Sequence, residues 1–377
     1  PRFPPPGLLS AFPGPEQSFH TKQPFPREFS REPPTPLSGN SFPAGGDEEA
    51  FPSLLITGAL WTMLSGDMLL EANQANTEVF QNLFKGSAFL LLLFSASRDS
   101  REENEDYKLV FAGVFFALAS FFKQTAALSA ALISASHCLY LYFGANGSKM
   151  PRRAIKHFLI IALIGLIFWS LLCLYFFGQG RFEDFYQASF VYNRAYVGFD
   201  PWSVLQRVFA AVSPEHLLPL KNAMPLTLCF LLSFFFGFRY ARREYSMLMA
   251  WMLASVLEIA LVGRYYSHYY QVLLPPLILS AAWLYAVIKR SKSRSHALAY
   301  GFGIILLIAC LELPNYCLSP REWARRKYPW LNFPKIKALA KDLDEILLPG
   351  ESFYQWGEST GLYFYRREKL PARVLYS

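Results

Sequence analysis

"HFLIIALIGLIFWSLLCLYFF", residues 157–177, carries no formal charge after its first residue. A helix needs roughly 20 such residues to cross a hydrocarbon core about 30 Å thick. Two further stretches have the same character. "QVLLPPLILSAAWLYAVI" (271–288) has no charge, and "ALAYGFGIILLIACLEL" (297–313) has one, Glu312, near its end. The whole chain is 53% hydrophobic and 17% aromatic with only 17% charged residues, a balance foreign to soluble domains. The sequence therefore predicts an all-α polytopic membrane protein.

Working outward from these runs, nine segments qualify as candidate spans: 51–66, 79–96, 109–122, 125–144, 157–178, 223–238, 246–262, 271–288 and 297–315. The first is short and interrupted by Gly58, Thr62 and Ser65. The second carries Lys85, which either snorkels or faces the protein interior. The third and fourth form one apolar block broken by "FKQTA", a hairpin with Lys123 at its tip.

Charge alternates between the loops. Segments 97–108, 145–156, 239–244 and 289–294 hold fourteen Lys and Arg in 36 residues, whereas 67–78, 122–124, 179–222 and 263–270 hold six in 67. By the positive-inside rule the first set is cytoplasmic and the second external. The net charge of +8 is thus that of basic membrane loops and argues no nucleic-acid partner. The five cysteines show no CxxC spacing and read as small core residues rather than as metal ligands or disulfides.

Three regions result. Residues 1–50 are rich in Pro and Gly, lack the apolar core of a signal peptide and should be disordered. The chain starts with Pro and reads as a fragment or as a coding region with a misassigned start. Residues 51–315 form the membrane domain. Residues 316–377 are expected to lie outside as a small, incomplete α/β segment: "KIKALAKDLDEILLPG" has helical spacing, and "SFYQWG" and "TGLYFYR" read as strands.

The unusual polar residues gather on the predicted external side. The loop "LLEANQANTEVF" (69–80) brings Glu71, Asn76 and Glu78, the next hairpin brings Lys123, and "GRYYSHYYQVLLPPL" (263–277) brings Arg264, Tyr266, His268 and Tyr269. Segment 179–222, aromatic and of mixed charge, reads as an interfacial helix followed by a loop. Taken singly each residue has a plain structural reading. Glu78 suits the first turn of a helix, Lys123 marks a tight hairpin, and Tyr and Arg at a span end form an ordinary interfacial belt. Together, a cavity lined by carboxylate, amide, Lys, Arg and His suits a lipid phosphate with a polar head group. No Walker A, GxGxxG, HExxH or GxSxG motif occurs. A divalent cation stays open as a cofactor, although no ligand cluster argues for one.

In order along the chain, "LLEANQANTEVFQNLF", "AGVFFALASFFKQTAAL", "GRYYSHYYQVLLPPL" and "SFYQWGESTGLYFYRREKLPAR" resemble landmarks of bacterial glycosyltransferase family 39. These are GT-C membrane enzymes related to protein O-mannosyltransferases, to the aminoarabinose transferase of lipid A and to Rgt-type galacturonosyltransferases. The resemblance runs from about residue 51 to the end of the chain. It implies a bacterial inner-membrane enzyme that moves a sugar from a polyprenyl-phosphate carrier to an extracytoplasmic glycolipid, polymer or protein. It implies Lys123, Arg264 and His268 at the donor phosphate, and Asn76, Tyr266 and Tyr269 on the substrate side. The family's acidic residue in a large first external loop has no counterpart here, and Glu78 is a weak substitute for that base. The alternatives are a transporter or lipid flippase, or an inactive fragment of the transferase.

Overall fold

The computed structural model describes residues 47–72, 75–95, 106–143, 150–197, 201–240, 242–328, 333–348, 350–355 and 361–367. All belong to one unit, Gly39–Ser377. Residues 1–46, most of the Pro-rich segment, lie outside the described residues, as do Asn73, Gln74 and Asp200.

In chain order the helices are α1 (Asp47–Leu64), α2 (Thr77–Ser95), α3 (Asp106–Phe122), α4 (Ala126–Phe143), α5 (Pro151–Gly178), the short α6 (Phe182–Tyr186) and α7 (Tyr192–Val197), and α8 (Pro201–Ala211). They continue with α9 (Met224–Tyr240), α10 (Arg242–Val262), α11 (Leu274–Ser291), α12 (Arg294–Tyr316), α13 (Pro320–Lys327), α14 (Phe333–Ile346) and α15 (Gly361–Arg366). Among the described residues, each segment forecast as a span is mostly helical. Six stretches are long and apolar enough to cross a membrane: Ala126–Phe143, Pro151–Gly178, Leu218–Phe236, Arg242–Val262, Ser267–Ser291 and Arg294–Tyr316.

The burial pattern is that of a membrane bundle. α11 sits at the centre, against α1, α9 and α12, and is covered on nearly all sides. Its Pro275 and Pro276 fall in the first turn, where a helix needs no intrahelical N–H. α5 is the opposite case. Only Ala154, His157 and Ile161 are buried along its 28 residues, while Leu159, Leu163, Leu166, Leu171 and Leu174 stand exposed. So long an apolar surface is a liability in water and the ordinary exterior of a helix in lipid. Close packing replaces hydrophobic collapse where helices meet. At Gly113 of α3 an added Cβ would lie 2.9 Å from the Ile164 Cβ of α5.

α2 joins fold to site. Its buried face is polar for two turns (Glu78, Gln81, Asn82, Lys85) and then apolar (Ala88, Phe89, Leu92). Residues three, four and seven apart share one helix face. Lys85 does not snorkel. Fully buried, it pairs with Glu258 of α10 at 3.2 Å, and Ser129 of α4 donates to the same carboxylate. Near the far end of the bundle, His137 Nε2 meets His157 Nδ1 at 2.9 Å and Arg243 caps the Leu92 and Leu93 carbonyls.

Three expectations are revised. The second forecast tail strand is helical. Gly361–Arg366 is α15, packed on α14, and no strand occurs among the described residues. An apolar–polar alternation of a few residues has no ladder to join here, and stacking of Tyr363 on Phe353 (centroids 4.6 Å apart) settles the local fold instead. Among the described residues of segment 179–222, 182–197 is helical through α6, a π turn at Gln187–Val191 and α7, and Pro201–Ala211 forms α8, rather than one helix and a loop. All five cysteines are unbridged, but only Cys138 and Cys229 are buried, while Cys310 and Cys317 are exposed.

Candidate functional site

Three chain turns meet at the end of the bundle where α1 and α12 end and α2 and α4 begin. The first is the turn after α1. Asp67 Oδ1 accepts the backbone N–H groups of Leu69 and Leu70, and Ala72 N–H donates to the Asp67 carbonyl at 3.0 Å. This Asx-type turn presents Glu71 in the left-handed region, φ 53°. The second is the Lys123–Thr125 turn between α3 and α4. The third follows α10, where Gly263 (φ 65°) and Tyr265 (φ 47°) reverse the chain into a 3₁₀ turn, Ser267–Leu273. The two longer turns are stitched together. Gln271 Nε2 donates to the Leu70 carbonyl at 2.9 Å, and Asn82 Nδ2 to the Gln271 carbonyl at 2.9 Å.

The side chains then converge. Lys123 forms an ion pair with Glu78, whose other carboxylate oxygen accepts from Thr77 at 3.1 Å. The same ammonium lies 3.7 Å from the ring centre of Tyr269. Tyr269 packs edge-on to His268 with centroids 4.5 Å apart, and His268 Nδ1 donates to Glu71 Oε2 at 3.1 Å. Tyr266 stacks on His268 at 5.8 Å, and Asn76 Nδ2 donates to the Glu71 carbonyl at 3.3 Å. The Lys123–Glu78 ion pair and the His268–Glu71 hydrogen bond thus share one aromatic divider. They differ in access. The Glu78 side chain is 1% exposed, whereas Glu71 and His268 keep 22% and 25%.

Of the residues singled out in the sequence, Glu78, Asn76, Lys123, Tyr266, His268 and Tyr269 are brought together. Arg264 lies on the same turn but is exposed. Its neighbours Gly263 and Tyr265 bear on Arg207 of α8, the Tyr265 hydroxyl donating to the Arg207 carbonyl at 3.1 Å.

Sequence reasoning missed the outer layer of this site. A capping box, with Ser319 and Glu322 each accepting the other's backbone N–H, starts α13, and the helix delivers a buried Lys327 beside Glu71 and Asp67. The Lys327 ammonium also sits over Trp323 and Tyr328, at 4.7 and 5.4 Å. Behind the turn, Asp67 meets Glu312 of α12, which accepts from Asn222 at 2.8 Å. The signal for Glu312 was available: a lone carboxylate in an apolar run marks a functional or paired position.

The charges respond to one another. The hydrogen bond from His268 holds the Glu71 carboxyl below its ordinary range, against the opposing effect of burial. Burial pushes the Lys327 ammonium down, and the Glu71 and Asp67 charges oppose this. Burial and the Glu71 charge raise the Tyr328 phenol. Such a cluster can accept a proton at a carboxylate and hold an anion between Lys123 and His268. Among the described residues no group of three or more His, Cys, Asp and Glu side chains converges as metal ligands would.

Compared with protein-family models, with curated proteins and with solved structures, the chain matches none.

Proposed function

We propose that this membrane protein is a glycosyltransferase that moves a sugar from a polyprenyl-phosphate donor to an acceptor outside the membrane, with nine spans and the Glu71–Lys123–His268 end facing outward. One observation carries this reading: six residues drawn from three separate landmarks converge on a single cluster holding both a proton acceptor and cations. Lys123 and His268, with Arg264 at the turn, would neutralise the lipid phosphate as the bond from its oxygen to the anomeric carbon breaks. A carboxylate would take the proton of the acceptor hydroxyl as that oxygen bonds to the same carbon. Glu71 suits the base role better than Glu78, because Glu78 is closed off by Lys123 and Thr77 while Glu71 is open.

The test is a transfer assay. Membranes holding the full chain are incubated with a labelled polyprenyl-phosphate sugar and an extracted envelope fraction. Transfer should be seen, and Lys123→Ala or His268→Ala should reduce it at least a hundredfold by removing one charge-assisted contact. Undiminished transfer in both variants would end the phosphate role. A transporter reading draws on the intramembrane Lys85–Glu258 pair. Proteoliposome uptake that is lost in Lys85→Met, with no covalent product, would favour it.

A further inference from the structure

Glu71 belongs to no helix, so something must hold its turn in place. The turn hangs on Asp67, which takes the Leu69, Leu70 and Ala72 amides. The Asp67 carboxyl faces that of Glu312 near the end of α12. Glu312 Oε1 accepts from Asn222 Nδ2 at 2.8 Å, and Asn315 lies beside it one turn on. The same turn of α12 presents Tyr316. Its hydroxyl donates to the Met63 carbonyl at 2.9 Å and lies 2.0 Å from where a Cβ on Gly66 would be. Of the other titratable groups, Lys327 of α13 faces Asp67, and the Tyr316 phenol faces both carboxyls.

Asp67 is 0% exposed and Glu312 1%. Each keeps one oxygen, Asp67 Oδ2 and Glu312 Oε2, that no N–H or O–H of another group reaches. Two carboxylates are acceptors only, so a hydrogen bond between them requires one proton.

We infer that Glu312, acting through Asp67, is a positioning residue for Glu71: one proton joins the two carboxyls and clamps turn 67–72 onto α12, and the clamp opens when that proton leaves. The inference rests on Glu71 belonging to the working site. Its readouts need no transferase assay, so its failure and that of the transferase reading are separable.

The full chain in lipid nanodiscs is followed by infrared spectroscopy and by hydrogen exchange. Wild type should show the carbonyl stretch of a buried carboxylic acid at neutral pH, lost in Glu312→Gln. Amides 69–72, corrected for intrinsic exchange, should lose at least tenfold in protection between neutral and alkaline pH. Glu312→Gln donates its own N–H to Asp67 and should stay protected at both pH values, whereas Glu312→Leu should be unprotected at both. Absence of the acid band in wild type overturns the inference. So does a pH response unchanged in Glu312→Gln, failure of that isosteric variant to fold, or loss of protection with a chelator, which would mean that a cation bridges the pair.

Discussion

The Lys123 ammonium lies 3.7 Å from the ring centre of Tyr269, though one residue tips the α3–α4 hairpin and the other follows α10. This contact links the Glu78–Lys123 pair to the Glu71–His268 pair, because Tyr269 touches both the Lys123 ammonium and the His268 ring. A partly desolvated cation–π contact stabilises by about 1 kcal/mol. A double-mutant cycle on Lys123→Met and Tyr269→Leu, read from unfolding in detergent, should return a coupling of that order. Strict additivity would mean that the two side chains are merely adjacent.

The acid limb of stability should carry a Glu71 signature. The His268 hydrogen bond lowers this carboxyl from an ordinary value of 4.5. A group whose pKa falls on folding stabilises the protein above its unfolded value, and the contribution disappears as pH drops through the lower folded value. Wild type should therefore lose stability below about pH 4.5 that Glu71→Gln, already lacking the pair, has no means of losing. Parallel acid curves for the two proteins would place the titrating group elsewhere.

The intramembrane pair should behave as a unit. Lys85 and Glu258 are buried at 0% and 3% exposure with Ser129 completing the contact. Removing one partner strands a charge, so Lys85→Met should cost about 3–5 kcal/mol. The double variant Lys85→Met/Glu258→Leu should regain most of that, since an apolar pair needs no compensation. If the double variant is as unstable as the single, the polar face of α2 holds the bundle through Gln81 and Asn82 instead.

How far the sequence reached can be judged from these same residues. The apolar runs located every long helix, because a bilayer demands length and hydropathy that composition displays directly. Glu78, Lys123 and His268 were legible as a group because each breaks an apolar or aromatic context beside a span. Asp67–Glu312 and Lys327–Glu71 were not legible. Their pairing spans most of the chain, and only the packing of α1, α12 and α13 brings them together. The tail misled for the reverse reason: six residues of alternation carry no information about whether a partner strand exists, and "GLYFYR" found α14 rather than a sheet.

The clasp between the first turn and α12 has a steric component that a single methyl group probes. An added Cβ at Gly66 would fall 2.0 Å from the Tyr316 hydroxyl, so Gly66→Ala must displace that ring and break its bond to Met63. Overpacking of this kind costs about 1–3 kcal/mol. Gly66→Ala/Tyr316→Leu should recover part of it, because the shorter side chain clears the space while losing only the hydrogen bond. Equal instability of the single and double variants would show that the backbone at Gly66, not the ring, sets the limit.

Sidedness decides whether this cluster can meet an external acceptor at all. The basic loops gather at the end opposite Glu71: Lys156 pairs with Asp106 at 2.7 Å, Lys108 reaches the Phe94 carbonyl and Arg153 the Ser95 carbonyl. The positive-inside rule would place that end in the cytoplasm. Cys317 is exposed just past α12 at the Glu71 end, and Met150 is exposed at the basic end. In cells expressing a chain with Cys317 as its single cysteine, a membrane-impermeant maleimide should label it without lysis. A cysteine-free chain carrying Met150→Cys should be labelled only after lysis. The reverse pattern would turn the protein over in the membrane, place Lys123 and His268 in the cytoplasm and rule out an extracytoplasmic acceptor.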